Sequence, residues 1–111
     1  MNLHIFKSST RRSADYAGVL ECDNRSSYFY LYALSNPGGS KVVGAIQLPN
    51  HSSTIVEDYY DVRWNLVEDI VGVFYRDEPL AAFNVNEYSK LKGVYPALVG
   101  IELKASKASW Q

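Results

Sequence analysis

Glu57, Asp58 and Asp61 fall within five positions, with His51 just upstream, in the run "HSSTIVEDYYDVRW". Carboxylates and an imidazole this close in sequence suit a divalent metal or a general acid/base pair. The spacing argues against both. In an extended strand adjacent Glu57 and Asp58 point to opposite faces, and Asp61 again lies opposite Asp58. His4 and His51 are the only histidines, so a site of two His and one carboxylate needs the N-terminus to meet a loop. The alternating acids followed by glycine that make a calcium loop are absent.

The other reactive residues are no better placed. Cys22 is the single cysteine, which excludes an intrachain disulfide and a Cys-based structural zinc site. It follows "AGVLE" and precedes a polar turn, a setting that predicts a buried structural thiol. "NPGGS" lacks the lysine and following helix of a phosphate loop, and reads as a hairpin turn. The serines lie in polar stretches with no nucleophile-elbow pattern. Tyr28, Tyr30 and Tyr32 alternate as base-stacking rings do. No Lys or Arg is interleaved with them, so they are expected to be core aromatics. The expectation is a protein with no catalytic residue, no metal and no cofactor, and not an enzyme.

The elements that carry these residues are short apolar runs between turn residues. "DYAGVLE" (15–21), "YFYLYAL" (28–34) and "KVVGAIQL" (41–48) read as strands. Both faces of 28–34 are apolar or aromatic, which predicts a central strand covered on two sides. "DYYDVRWNL" (58–66) alternates, with Tyr60, Val62, Trp64 and Leu66 on one side and Tyr59, Asp61, Arg63 and Asn65 on the other. That is a half-buried strand. "VED" (67–69) forms the connection to "IVGVFYRD" (70–77), an "EP" turn follows, and "LAAFNV" (80–85) closes a meander. "NEYSKLKGV" (86–94) suits one or two helical turns, and "ALVGIEL" (97–103) a last strand.

A chain of 111 residues that is 47% hydrophobic and 21% charged suits one soluble globular domain, 1–111. Segments 1–14 and 104–111 are expected to be loosely ordered. Nine Tyr, four Phe and two Trp favour sheet over helix. The expected fold is mainly β: a twisted antiparallel sheet arranged as a meander, sandwich or open barrel, with at most one or two short helices. Its core is expected in Tyr30, Leu31, Ala33, Val43, Ile46, Val62, Trp64, Val73, Phe83 and Val85.

Formal net charge is −1, so a globally basic nucleic-acid surface is not expected. The charge is uneven along the chain. Residues 57–87 carry −6, against +2 before them and +3 after. No apolar run approaches a membrane span, and "MNLHIFKSSTRR" lacks the apolar region of a signal peptide, so a cytoplasmic protein without membrane contact is expected.

The runs "YAGVLECDNRSSYFYLYAL", "VVGAIQLPN" and "DVRWNLVEDIVGVFYRDEPLAAFNV" resemble a small uncharacterised bacterial family. Its meander pattern is matched here by Val62, Trp64, Gly72, Phe74, Pro79, Ala81 and Phe83, and the likeness covers about residues 16–96. The first turn, "DNRSS", departs from the pattern by lacking its glycine. Members of that family look like immunity proteins of polymorphic-toxin and contact-dependent competition systems. The resemblance implies a binding function with no catalytic residues.

An immunity protein binds one partner tightly and quickly, which electrostatic complementarity promotes. Many antibacterial toxins are nucleases with basic clefts, for which an acidic face is the natural plug. The expected partner-binding residues are therefore Glu57, Asp58, Asp61, Glu68 and Asp69, with Tyr59 as aromatic anchor. The expected partner is a basic cognate toxin domain, with no direct nucleic-acid contact. Two alternatives come from other classes: a small ligand-binding or regulatory β domain with a pocket between sheet layers, and a homodimer or larger homo-oligomer formed at a sheet edge.

Overall fold

The computed structural model describes residues 4–23, 25–35, 41–48, 57–86, 97–99 and 110. The domain is mainly β, built from two four-stranded antiparallel sheets packed face to face. The first contains β1 (His4–Thr10), β2 (Tyr16–Asp23), β3 (Ser27–Ala33) and β4 (Val42–Leu48). The second contains β5 (Tyr60–Trp64), β6 (Ile70–Tyr75), β7 (Glu78–Asn84) and β8 (Ala97–Val99). Each sheet is a meander in chain order. Among the described residues there is no α-helix, and one 3-10 turn, Glu57–Tyr59, leads into β5. No helix there is long and apolar enough to cross a membrane.

The core lies between the sheets. From the first sheet come Ile5, Leu20, Phe29, Leu31 and Leu48, and from the second Tyr60, Val62, Trp64, Val71, Val73 and Phe83. Each set alternates along its strands with residues of the outer face, the period-2 pattern of a half-buried sheet. Phe29 and Phe83 stack across the interface with ring centroids 5.6 Å apart. The sheets come so close at Gly18 that a Cβ there would stand 2.6 Å from a Val71 methyl. Only glycine lets the two sheets meet at that distance.

Leu31, Val62, Trp64, Val73, Phe83 and Val85 are buried as expected, with Val43 and Ile46 packed against the core. Two expectations are corrected. Tyr30 and Ala33 are only half-buried. β3 is an interior strand, but Phe29 and Leu31 fill its core face, and Tyr28, Tyr30 and Tyr32 stand on the outer one. Hydrogen-bond partners on both sides do not require a layer on both faces, and two apolar faces cannot by themselves say which one is covered.

Strand ends also differ from the expectation. β1 occupies part of the segment expected to be loosely ordered. Its alternation is hidden because Lys7 and Ser9 point toward the second sheet, where Lys7 Nζ donates to Tyr60 O at 2.9 Å and Ser9 O accepts from Trp64 Nε1 at 3.0 Å. The Lys7 ammonium can sit inward because it finds a carbonyl partner, whereas the Ser9 contact is made by its backbone and anchors the strand. The turn between β6 and β7 is Arg76–Asp77, with φ of 54° and 64°, the left-handed pair of a two-residue hairpin. Glu78 and Pro79 therefore begin β7 and do not form the turn. Pro79 has no N–H, and the ladder register shifts beside its partner Phe74.

Trp110 pairs with Asn65 and packs edge-on against Phe74, with centroids 4.8 Å apart. Trp110 thus lies against the outer face of the second sheet, beside Ile70 and Ala82. The proposed helical turns from residue 87 onward, the continuation of β8 beyond Val99, and His51 lie outside the described residues.

Candidate functional site

Tyr59 closes the 3-10 turn, and its carbonyl accepts the Arg76 N–H at 2.9 Å, which fixes that turn to the β6–β7 hairpin. The Arg76 guanidinium lies 4.4 Å from the centroid of the Tyr59 ring. Tyr75 meets the same ring edge-on at 5.8 Å. Held on two sides, the ring is still 41% exposed. An exposed phenol would ordinarily sample several rotamers, and this one has neighbours that select its position.

Behind Tyr59, β5 turns Asp61 and Arg63 to the outer face of the second sheet. The Arg63 guanidinium donates to Asp61 Oδ2 and to Asp77 Oδ1, both at 2.6 Å. It also covers the Phe74 ring at 4.8 Å. Hydrogen bonds to Asp61 first and then Asp77 hold Arg63 more firmly in its charged form than in water. Two surface carboxylates are thereby paired with one cation of the same sheet. Lys7, Asp58, Tyr59, Tyr60, Asp61, Arg63, Arg76 and Asp77 line a polar cleft of about 320 Å³ at this end of the sandwich.

The expected partner-binding residues divide between the two ends of β5. Asp58, Tyr59 and Asp61 line the cleft, and Glu57 begins the 3-10 turn beside it. Glu57 and Asp58 are exposed and make no ion pair with any described residue. Glu68 and Asp69 lie in the β5–β6 hairpin at the far end, about 13 Å away along the strand. Neither is a freely solvated acid. Glu68 is buried, accepts the Arg12 N–H at 3.3 Å and pairs with the Arg12 side chain at 3.2 Å. Asp69 accepts from the side-chain amide of Asn65, whose own oxygen accepts the N–H groups of Asp69 and Ile70, each at 3.0 Å. This carboxamide clasp closes the hairpin, and it explains why Asn65 is buried where strand alternation alone would expose it.

Lys7, Arg63, Arg76 and Asp77 line the cleft, and Tyr75 packs on Tyr59; none of them was singled out for the site from the sequence. Asp61 and Arg63 at i and i+2 of one strand face carried a signal of their pairing. Asp77 carried none, because its approach depends on the hairpin register.

Cys22 is fully buried, and burial raises its thiol pKa, with Ser27 and Tyr60 beside it lowering it in part. Tyr60 is likewise pushed up, first by burial and then by Cys22 and Tyr75. A thiol held protonated and away from solvent is a packing group. Among the described residues no three His, Cys, Asp or Glu side chains converge as metal ligands would. Compared with protein-family models, curated proteins and solved structures, the chain finds no match.

Proposed function

We propose that the protein is a non-catalytic binding protein, an immunity protein that docks on and neutralises a basic cognate toxin domain in the bacterial cytoplasm. The cleft end of the sandwich is its docking surface. One observation carries this reading: the Tyr59 ring is set in place by Arg76 and Tyr75 yet stays 41% exposed, beside the exposed carboxylates of Glu57 and Asp58, which make no ion pair with a described residue. A pre-positioned aromatic ring loses little conformational entropy on binding, and such rings dominate many interface energies. Nearby carboxylates add long-range attraction for a basic partner. Glu68 and Asp69 are left out of the surface, since their charges are engaged within the fold.

The test is co-expression with the toxin domain encoded beside the gene, read as growth protection, together with the dissociation constant of the purified pair. Wild type should protect. Tyr59→Ala should weaken binding by about 2 kcal/mol or more, as expected for a hot-spot aromatic, with thermal stability nearly unchanged. Unaltered affinity in Tyr59→Ala combined with Glu57→Lys and Asp58→Lys would overturn this assignment of the surface.

The cleft itself favours a second reading, a small ligand-binding domain. Native mass spectrometry of freshly purified protein distinguishes the two, because a stoichiometric co-purifying small molecule belongs only to the second.

A further inference from the structure

The outer face of the first sheet carries an aromatic ladder that neither the core nor the cleft uses. Tyr28, Tyr30 and Tyr32 stand along β3 with successive ring centroids 5.7 Å and 6.3 Å apart. The second sheet packs on the opposite face, against Phe29 and Leu31. Register places Glu21 beside Tyr28, Val19 beside Tyr30 and Ala17 beside Tyr32 on β2. On β1 it places Phe6 beside Glu21 and His4 beside Asp23. Phe6 is 56% exposed, an unusual position for a phenylalanine on a strand. Among the described residues no Lys or Arg shares this face.

We propose that this face is a second docking surface, which takes an extended polypeptide segment carrying Arg or Lys at alternate positions. Two arguments select that occupant. The first is spacing: alternate side chains of an extended chain repeat at about 6.6–6.8 Å, close to the ladder's own step, so cations on one side of such a segment reach successive rings. The second is charge. The ladder ends at Glu21 and Asp23, and Glu21 makes no ion pair with any described residue. Asp23 keeps its charge because the N–H groups of Arg25 and Ser26 donate to it, each at 2.8 Å, which lowers its pKa. Arg25 also acts on Asp23, so Glu21 is the carboxylate that a partner's cation would meet, and a nucleic acid stacked on the same rings would bring its phosphates against it. A second copy of the chain would oppose two negative faces. This surface is independent of the Tyr59 end.

The experiment is an NMR titration of the ¹⁵N-labelled full chain. The probes are a blocked hexapeptide of alternating arginine and serine, its glutamate–serine counterpart, and oligothymidylate. The arginine peptide should shift the amides of Phe6, Val19, Glu21, Tyr28 and Tyr30 saturably. Glu21→Lys, an exposed change, and Phe6→Ser with Tyr28→Ser should each weaken it about tenfold, whereas Tyr59→Ala should leave it unaltered. Absence of saturation, shifts confined to residues 57–61 and 75–77, equal binding of the glutamate peptide, or tighter binding of oligothymidylate would each overturn the proposal. Since Tyr59→Ala is the control here and the decisive variant for the cleft, the two surfaces fail separately.

Discussion

The guanidinium of Arg76 lies 4.4 Å from the ring centroid of Tyr59, and the N–H of the same arginine donates to the Tyr59 carbonyl at 2.9 Å. One residue thus holds both the backbone and the side chain of the exposed aromatic. It does so from a left-handed conformation, with φ of 54°. For a side chain such as arginine this conformation costs about 1 kcal/mol. Strain of this kind persists where surrounding contacts over-determine the backbone. Here those contacts are the Tyr59 carbonyl and the Asp77–Arg63 pair next to it.

Arg76→Asn separates the two roles. Asparagine tolerates the left-handed conformation and keeps the N–H, but it removes the cation over the ring. Relief of strain offsets the lost cation–π contact, so thermal stability should stay within about 1 kcal/mol of wild type. Partner affinity should fall, because the ring regains rotamer freedom in the unbound protein. Differential scanning calorimetry and a binding isotherm on the same variant measure the two effects.

Trp64 connects the sheets in two ways. Its ring is 2% exposed, and its Nε1–H donates to the Ser9 carbonyl at 3.0 Å. Trp64→Ala should cost about 3–5 kcal/mol in urea unfolding. Trp64→Phe keeps most of the packing but leaves the Ser9 carbonyl without its donor, and should cost about 1–3 kcal/mol. Similar losses in both variants would mean that the hydrogen bond, and not the ring volume, secures β1 to β5.

Those two residues also mark how far the sequence is legible. The Tyr60, Val62 and Trp64 alternation states which face of β5 is buried, because its other face is charged. The same logic fails on β3, where Tyr28, Tyr30 and Tyr32 are as apolar as Phe29 and Leu31. Which set is inside depends on the approach of the second sheet, a contact distant in sequence. β1 was obscured for a related reason: Lys7 faces inward to the Tyr60 carbonyl and the Ser9 backbone carbonyl is held by the Trp64 indole, both more than fifty residues along the chain. In the candidate site, Glu57, Asp58, Tyr59 and Asp61 lie at one end of β5, as their closeness in sequence requires. Glu68 and Asp69 joined that group by charge alone, and a strand's length separates them from it.

Glu68 supplies a direct check of that separation. It has a φ of 57° and pairs with Arg12, whose side chain is largely in water. Such a half-exposed pair contributes about 0.2–1 kcal/mol. Glu68→Ala loses the pair and retains the left-handed strain, so it should lower stability by about 1 kcal/mol. Glu68→Gly loses the same pair but relieves about 1 kcal/mol of strain, and should unfold close to wild type. Neither should alter partner affinity. An affinity loss in Glu68→Gly, with stability intact, would return this acid to the docking surface.

The last expectation concerns rate. Glu57 and Asp58 are exposed on the 3-10 turn and carry no ion pair with a described residue, although Lys7 and Arg76 share the cleft with Asp58 and temper its field. Asp61 and Asp77 differ, since both are bound to Arg63 at 2.6 Å. A basic partner should therefore be steered chiefly by Glu57 and Asp58. Reversing this pair to Lys should slow association by about tenfold or more at low ionic strength and change dissociation much less. At ionic strengths near 1 M, where the screening length falls to about 3 Å, the difference from wild type should nearly vanish. Asp61→Asn should behave in the opposite sense. It frees one side of the Arg63 guanidinium without placing a new positive charge at the rim, so it should chiefly raise the dissociation rate by loosening the Asp61–Arg63–Asp77 set that lines the cleft. Stopped-flow association at three salt concentrations, paired with dissociation by competition, separates these cases. Equal association rates for wild type and the Glu57→Lys, Asp58→Lys variant at low salt would show that these two carboxylates only solvate the turn.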